Sequence, residues 1–375
     1  MNFETYPFEK LNELLKDIEP NKDYKPISLT IGEPQLQTPN FIQEELSKSS
    51  HFLNKYPKTA GEKRLKDSMK GFVKRRFGIT LDDNQLIPTF GTREVLFNLP
   101  QFLLFDEKNP SMAFTNPFYQ IYEGAAIASR AKIFHLDLTK ENNFKVLPAN
   151  FIDTLKTVDL VIINFPNNPT ASSLTLDELV LWVKASKEYS FILINDECYS
   201  EIYNQTPDHS LLEASIKAGN REFKNIIVLN SISKRSSAPG VRSGFVAGDA
   251  KILKAYMKYR TYVGCASPLP LQYAASSAWD DDNHVENSRE IYRKNFQLAE
   301  DILGVTPSKS TFYIWLEVKD DKKFTKLLYK EKNLKVLPGS FLSRGKIADK
   351  YVRIALVEDE QNTKDALLRV KSILG

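Results

Sequence analysis

Cysteine is nearly absent: Cys198 and Cys265 are the only two in 375 residues. That excludes a disulfide scaffold and any cysteine-rich zinc or iron–sulfur site. The four histidines, His51, His135, His209 and His284, are scattered and lack the spacing of a metal-binding helix motif, so no metal is expected. Charge of one sign is missing too. Against 47 acidic residues stand 51 Lys and Arg, a surplus of +4, with none of the concentrated basic stripe that nucleic-acid partners call for. No apolar run approaches the roughly 18 residues that cross a bilayer. The N-terminal MNFETYPFEKLNELLKDIEP is acidic and amphipathic and has no signal-peptide apolar block. Neither a Walker nor a dinucleotide glycine pattern occurs, so a nucleotide cofactor is not favoured. What is left reads as a soluble protein of about two domains in a reducing compartment such as the cytoplasm, expected to be an enzyme, with no nucleic-acid or membrane partner expected.

Three short apolar runs stand out in the middle: DLVIINF (159–165), FILIND (191–196) and NIIVLNS (225–231). They are continuous rather than alternating, as strands buried on both faces of a parallel sheet are. Their spacing fits strand–helix–strand units. After the first run, Thr175 and Glu178 fit a capping box and Leu174 with Leu179 a hydrophobic staple. Leu176, Leu179, Val180 and Val183 then give one apolar helical face. From about 280 onward the pattern changes to helices and short alternating strands. The prolines and Asp run of PLPLQYAASSAWDDDN place a domain change near 275–285. The fold class read here is α/β: a large α/β/α domain over 46–280, with 1–45 and 281–375 forming a small α+β domain.

Ligands of an open parallel sheet bind beyond the carboxyl ends of its strands. Just after the three runs come Asn164-Phe165-Pro166-Asn167-Asn168-Pro169-Thr170, then Asp196-Glu197-Cys198-Tyr199, then Ser231-Ile232-Ser233-Lys234. A lysine in a partly enclosed site can form a Schiff base with a carbonyl. A buried carboxylate keeps an opposing ring nitrogen protonated, and a phenol and an amide can bond a ring oxygen. Together they suit pyridoxal phosphate. Arg242 can take a phosphate bidentately, and Gly91-Thr92-Arg93 opens a helix whose free N–H groups attract anions. Cys198 reads as an inert buried thiol. Arg93 and Arg235 are candidates either for the extra carboxylates of a long diacid or for a plain surface role.

At these residues the sequence resembles the class I/II aminotransferases, pyridoxal-phosphate enzymes of fold type I. The likeness rests on PNNPT (166–170), DECY (196–199), SISKRSSAPGVRSGFVAG (231–248) and YVRIAL (351–356), and runs from about residue 25 to 375. It implies that Lys234 is the Schiff-base lysine and proton shuttle, that Asp196 partners the pyridine nitrogen, and that Tyr199 and Asn168 bond the ring 3′-oxygen. Ser231, Ser233, Arg242 and the backbone of Gly91, Thr92 and Arg93 would form the phosphate cup. Tyr119, in NPFYQIY, would stack on the cofactor. Tyr56, in YPKTAG, would reach the phosphate site of a neighbouring subunit, which implies a homodimer. Arg353 would clamp the substrate α-carboxylate, helped by the backbone of Gly32 in IGEP.

Several stretches resemble N-succinyldiaminopimelate aminotransferases more closely: GTREVLF (91–97), NPFYQIYEGAA (116–126), RTYVGCASPLPLQ (260–272), HVENSREIYRKNF (284–296) and VLPGSFLSR (336–344). The implied activity is ping-pong amino transfer between glutamate/2-oxoglutarate and N-succinyl-2-amino-6-oxopimelate. An aspartate, alanine or aromatic aminotransferase, and less so a carbon–sulfur lyase, are the alternatives. Two positions depart from the family pattern: Ala171 stands where a glycine commonly follows PNNPT, and Ser310-Thr311 where glycines often precede FYIW.

Overall fold

The computed structural model describes residues 3–306 and 308–374. A seven-stranded sheet forms its centre, in the spatial order Leu86–Thr89, Gly244–Gly248, Ile226–Ser231, Ile192–Asp196, Leu160–Ile163, Ser111–Asn116, Lys132–Asp137. All neighbours pair parallel except Gly244–Gly248, which runs against both strands beside it.

The three apolar runs are the adjacent central strands. Side chains alternate between the faces of a strand, and here each face meets its own helical layer. Val161, Ile163, Leu193 and Val228 join one core with helices Lys63–Phe77, Leu176–Tyr189 and Leu269–Asp280. Leu160, Ile162, Ile194, Ile227 and Leu229 join the other with helices Thr92–Leu103, Ile121–Ala128 and Ala250–Val263. Both faces are packed, which is why the runs are apolar up to their carboxyl ends, where buried Asn195, Asp196, Asn230 and Ser231 take over. The capping box forms: Glu178 N donates to Thr175 Oγ1 at 3.2 Å and Thr175 N to Glu178 Oε2 at 2.7 Å. Leu174 and Leu179 are both buried beside it.

A second, antiparallel sheet takes the order Leu337–Pro338, Tyr351–Ala355, Tyr313–Glu317. Its core holds Val352 and Ile354 with Phe296 and Ala299 of the long helix Asn283–Leu303. The N-terminal residues do not all pack on this part. Ile27–Ser28 pairs with Leu334–Lys335, but helix Asn40–Ser49 sends Ile42 into the large sheet's core. The apolar side chain of Ile42 decides this: it finds cover against that layer. Among the described residues no helix is long and apolar enough to cross a membrane.

Candidate active site

Asp196 and Ser231 end their strands, and Asn164 follows Ile163 directly. Parallel pairing therefore delivers three polar segments to one sheet edge. Lys234 sits on a single helical turn, Ile232–Arg235, capped by Ser231 Oγ, which accepts from Ser233 N at 3.0 Å. These residues open into one cavity of about 760 Å³. Asn168, Tyr199, Ser233, Lys234 and Arg242 line it from one side of the chain order, and Gly32, Thr92, Arg93, Tyr119 and Arg353 from the rest. Gly91 caps the helix that carries Thr92 and Arg93. Tyr56 stands apart, fully exposed on the surface.

Lys234 Nζ donates to the carbonyl of Gly32. Burial, with the Arg353 and Arg242 charges adding to it, lowers its amine to about 8, while Cys198 and Glu33 act the other way. A lysine so placed is a usable base near neutral pH. Asp196 is buried, and burial raises its carboxyl. Tyr122 Oη donates to its Oδ2 at 2.9 Å and Cys198 N to its Oδ1 at 3.3 Å. Those bonds leave a buried carboxylate short of a cation, the deficit a protonated ring nitrogen would fill.

The opposite charge accumulates a few residues away. Among the described residues exposed Arg93, half-buried Arg242 and Lys234, and buried Arg353 have no ion-pair partner, while the buried arginines Arg235, Arg260, Arg289 and Arg369 do. Arg242 takes a left-handed backbone (φ 54°) and donates from Nη1 to Pro239 O at 2.8 Å. A methyl group at Gly91 would lie 2.1 Å from its Nη2, so only glycine lets the guanidinium in. The first turn after Gly91 has no side-chain cap, leaving N–H donors for an anion. A dianionic phosphate fits here, beside Ser231 and Ser233. The residues present thus suit a group with an anionic phosphate, an aldehyde and a protonated ring nitrogen.

Arg353 is 4% exposed. Its Nη1 donates to Asn168 Oδ1 and its Nη2 to Thr30 O, both at 2.6 Å. Its buried Nε has no partner. The guanidinium carbon lies 4.4 Å from the Tyr313 ring centre, and the Tyr313 and Tyr199 hydroxyls share a 2.7 Å bond. Gly32 is required because a Cβ there would overlap the Tyr313 hydroxyl. Tyr119 Oη accepts from Arg93 Nε at 2.7 Å.

Two sequence expectations need correction. Arg235 does not enter the cavity. It is fully buried and pairs with Asp282 instead, because its side chain points to the ends of helix Leu269–Asp280. Cys198 is half-buried and lines the cavity, with its Sγ 3.2 Å from Thr92 Oγ1; its position just beyond a strand end turns it into the site. Tyr6, Tyr122 and Tyr313 join the site without any sequence signal that singles them out. Tyr6 Oη accepts from Arg93 Nη2 at 3.4 Å. All three lie in stretches whose aromatic residues read equally well as core. The departures from family pattern are visible as strain: Ala171 (φ 59°) and Thr311 (φ 68°) hold the left-handed conformation that suits glycine.

The chain matches the family described as aminotransferase class I and II over residues 24–369. It is 29% identical to an LL-diaminopimelate aminotransferase of Natranaerobius thermophilus, covering 98% of this chain and 97% of that protein. It is also 29% identical to aromatic-amino-acid aminotransferase 2 of Thermococcus litoralis, covering 93% and 91%. Among solved structures, the aminotransferase AspB of Helicobacter pylori superposes with a TM-score of 0.97 at 49% identity, covering 100% of this chain and 99% of that one. An aminotransferase of Neisseria meningitidis gives 0.94 at 37%, covering 100% and 98%. With a match that spans both sheets and the whole cavity, the chain belongs to the class I and II aminotransferases, enzymes that depend on pyridoxal phosphate.

Proposed function

We propose that this aminotransferase moves an amino group between glutamate/2-oxoglutarate and an oxo acid carrying several carboxylates, N-succinyl-2-amino-6-oxopimelate. The observation that carries the reading is the surplus of unpaired guanidinium groups in the cavity. Arg353 answers the α-carboxylate of any amino acid. Arg93, bonded only to the neutral hydroxyls of Tyr119 and Tyr6, remains for a distal carboxylate. The relatives named for diaminopimelate lend support, since that substrate too is a long amino diacid.

Bound pyridoxal phosphate supplies an electron sink and carries the amino group. The chain's own residues do the rest. Arg242, Ser231, Ser233, Thr92 and the backbone at Gly91 and Arg93 hold the phosphate. Asp196 keeps the ring nitrogen protonated, with Tyr122 fixing the carboxylate. Asn168 and Tyr199 would bond the ring oxygen, and Tyr119 would stack on the ring. Lys234 Nζ would hold the aldehyde and, once the substrate's amine has taken its place there, the freed amine would move the proton at the substrate α-carbon. Tyr56 serves the phosphate of a second copy, so the working form is a homodimer with shared sites, and the compartment is the cytoplasm. We read 46–280 as the cofactor domain and the two chain ends as the small one, with helix Asn40–Ser49 attached to the former.

Half-reaction rates of the purified enzyme across amino donors and acceptors test the substrate. Fast amination of the succinylated oxo diacid supports it. Slow reaction there beside fast turnover of aspartate or phenylalanine overturns it.

A further inference from the structure

The two residues after Lys234 grip a single stretch of chain. Arg235, fully buried, donates from Nη1 to Ala278 O at 2.6 Å, and from Nη2 to Asp281 O at 3.2 Å and Asp282 Oδ1 at 2.8 Å. Ser236, also fully buried, has its Oγ 2.8 Å from His284 Nε2. His284 Nδ1 lies 2.6 Å from Asp281 Oδ1, which also accepts from His284 N at 3.0 Å. This stretch links helix Leu269–Asp280, in the large sheet's core, to helix Asn283–Leu303, whose far half lies in the small sheet's core.

Serine, histidine and aspartate here resemble a nucleophile with its base. The Ser236 hydroxyl, however, is enclosed and lies outside the cavity, so no substrate reaches it. The tautomer follows from the partners. Burial alone would raise Asp281, but the amide and ring of His284 bring its carboxyl below the ordinary range. It is therefore ionised and accepts from Nδ1–H, Nε2 is the acceptor, and Ser236 donates. A single helical turn has no stability of its own. The turn that carries Lys234 closes with Ser236 N donating to Ile232 O at 3.0 Å and needs outside anchors.

We propose that His284 is a positioning residue: through Ser236 it fixes the turn that holds Lys234 and ties it to the junction between the two sheets. The inference rests on reading Lys234 as the residue that carries the cofactor.

The test follows trace acylation of Lys234 against pH in cofactor-free protein, read by peptide mass spectrometry. The wild-type midpoint should fall near 8. Ser236→Ala removes one oxygen, and His284→Asn keeps a donor for Asp281 but cannot reach Ser236. Both should loosen the turn and let Nζ swing away from Arg353 and Arg242 and nearer to water. The midpoint should then rise by about half a pH unit or more, a three-fold change in free amine at a given pH. His284→Gln reaches Ser236 and should restore most of the shift. Unmoved midpoints in Ser236→Ala and His284→Asn overturn the proposal, as does a Gln variant no better than Asn. Borohydride trapping of the loaded wild-type enzyme separates the two failures. An adduct on another lysine sinks the reading of Lys234. An adduct on Lys234 with unmoved midpoints sinks only the role of His284.

Discussion

Arg353 and Asn168 join the two sheets across the cavity, with Nη1 donating to Oδ1 at 2.6 Å. The arginine comes from the small antiparallel sheet and the asparagine from the loop that follows a strand of the large one. With Thr30 O holding Nη2, both terminal nitrogens of the fork are fixed by the protein, and the guanidinium lies at the cavity wall. Arg353→Lys keeps the charge but loses the planar fork. We expect kcat/KM for glutamate to fall roughly 10- to 100-fold, the worth of one or two charge-assisted hydrogen bonds, mostly through KM. Steady-state kinetics over a range of glutamate concentrations measures it.

Arg93 should discriminate rather than catalyse. In Arg93→Ala, turnover of donors and acceptors with a distal carboxylate should drop roughly ten-fold or more. Alanine, which has no distal carboxylate, should be far less affected. The ratio of the two kcat/KM changes is the measurement, and an equal loss on both would remove Arg93 from substrate recognition.

Lys234 makes the fold pay a pH-dependent penalty. Its folded value, about 8, lies below the ordinary 10.5. The unfolded chain therefore takes up the proton more readily, and this destabilises the cofactor-free protein. The penalty is full below about pH 8, shrinks as pH rises from there, and vanishes above about 10.5. Lys234→Met should melt at a higher temperature than wild type at pH 7, with the gap narrowing by pH 10. Melting curves of both cofactor-free proteins at the two pH values check the sign.

Tyr56 is exposed in a single chain and acts only if a second copy brings it to a phosphate. Tyr56→Phe should weaken cofactor retention by roughly ten-fold, the value of a hydrogen bond to a charged group. Dialysis against cofactor-free buffer, read by absorbance, measures it. Unchanged retention together with a monomer in solution would contradict the shared site.

Three adjacent strands of the central sheet were legible because burial on both faces leaves their middles wholly apolar, whereas Ser111–Asn116, equally buried, carries Thr115 and Asn116 and gave no such run. Runs such as Leu160–Ile163 and Ile226–Ser231 admit no other reading of comparable economy. The helix from Leu176 was legible because its cap is local, made within the tetrapeptide Thr175 to Glu178. Lys234, Asp196 and Arg242 could be picked out because each follows a strand or a glycine-rich turn. Tyr313 and Tyr122 could not. Each gains its role from a partner far along the chain, Tyr199 and Asp196 respectively, and an aromatic residue in an apolar stretch looks the same whether it packs or bonds. Arg235 misled for the converse reason. It neighbours Lys234 in sequence, but successive residues on a helical turn point about 100° apart, and its side chain finds Asp282 instead of the cavity.

The most direct test of the account is Lys234→Ala, expressed with excess pyridoxal phosphate and purified. The account predicts no measurable amino transfer and loss of the absorbance band that the lysine-linked cofactor gives the wild type. An active Lys234→Ala enzyme of normal colour would contradict it.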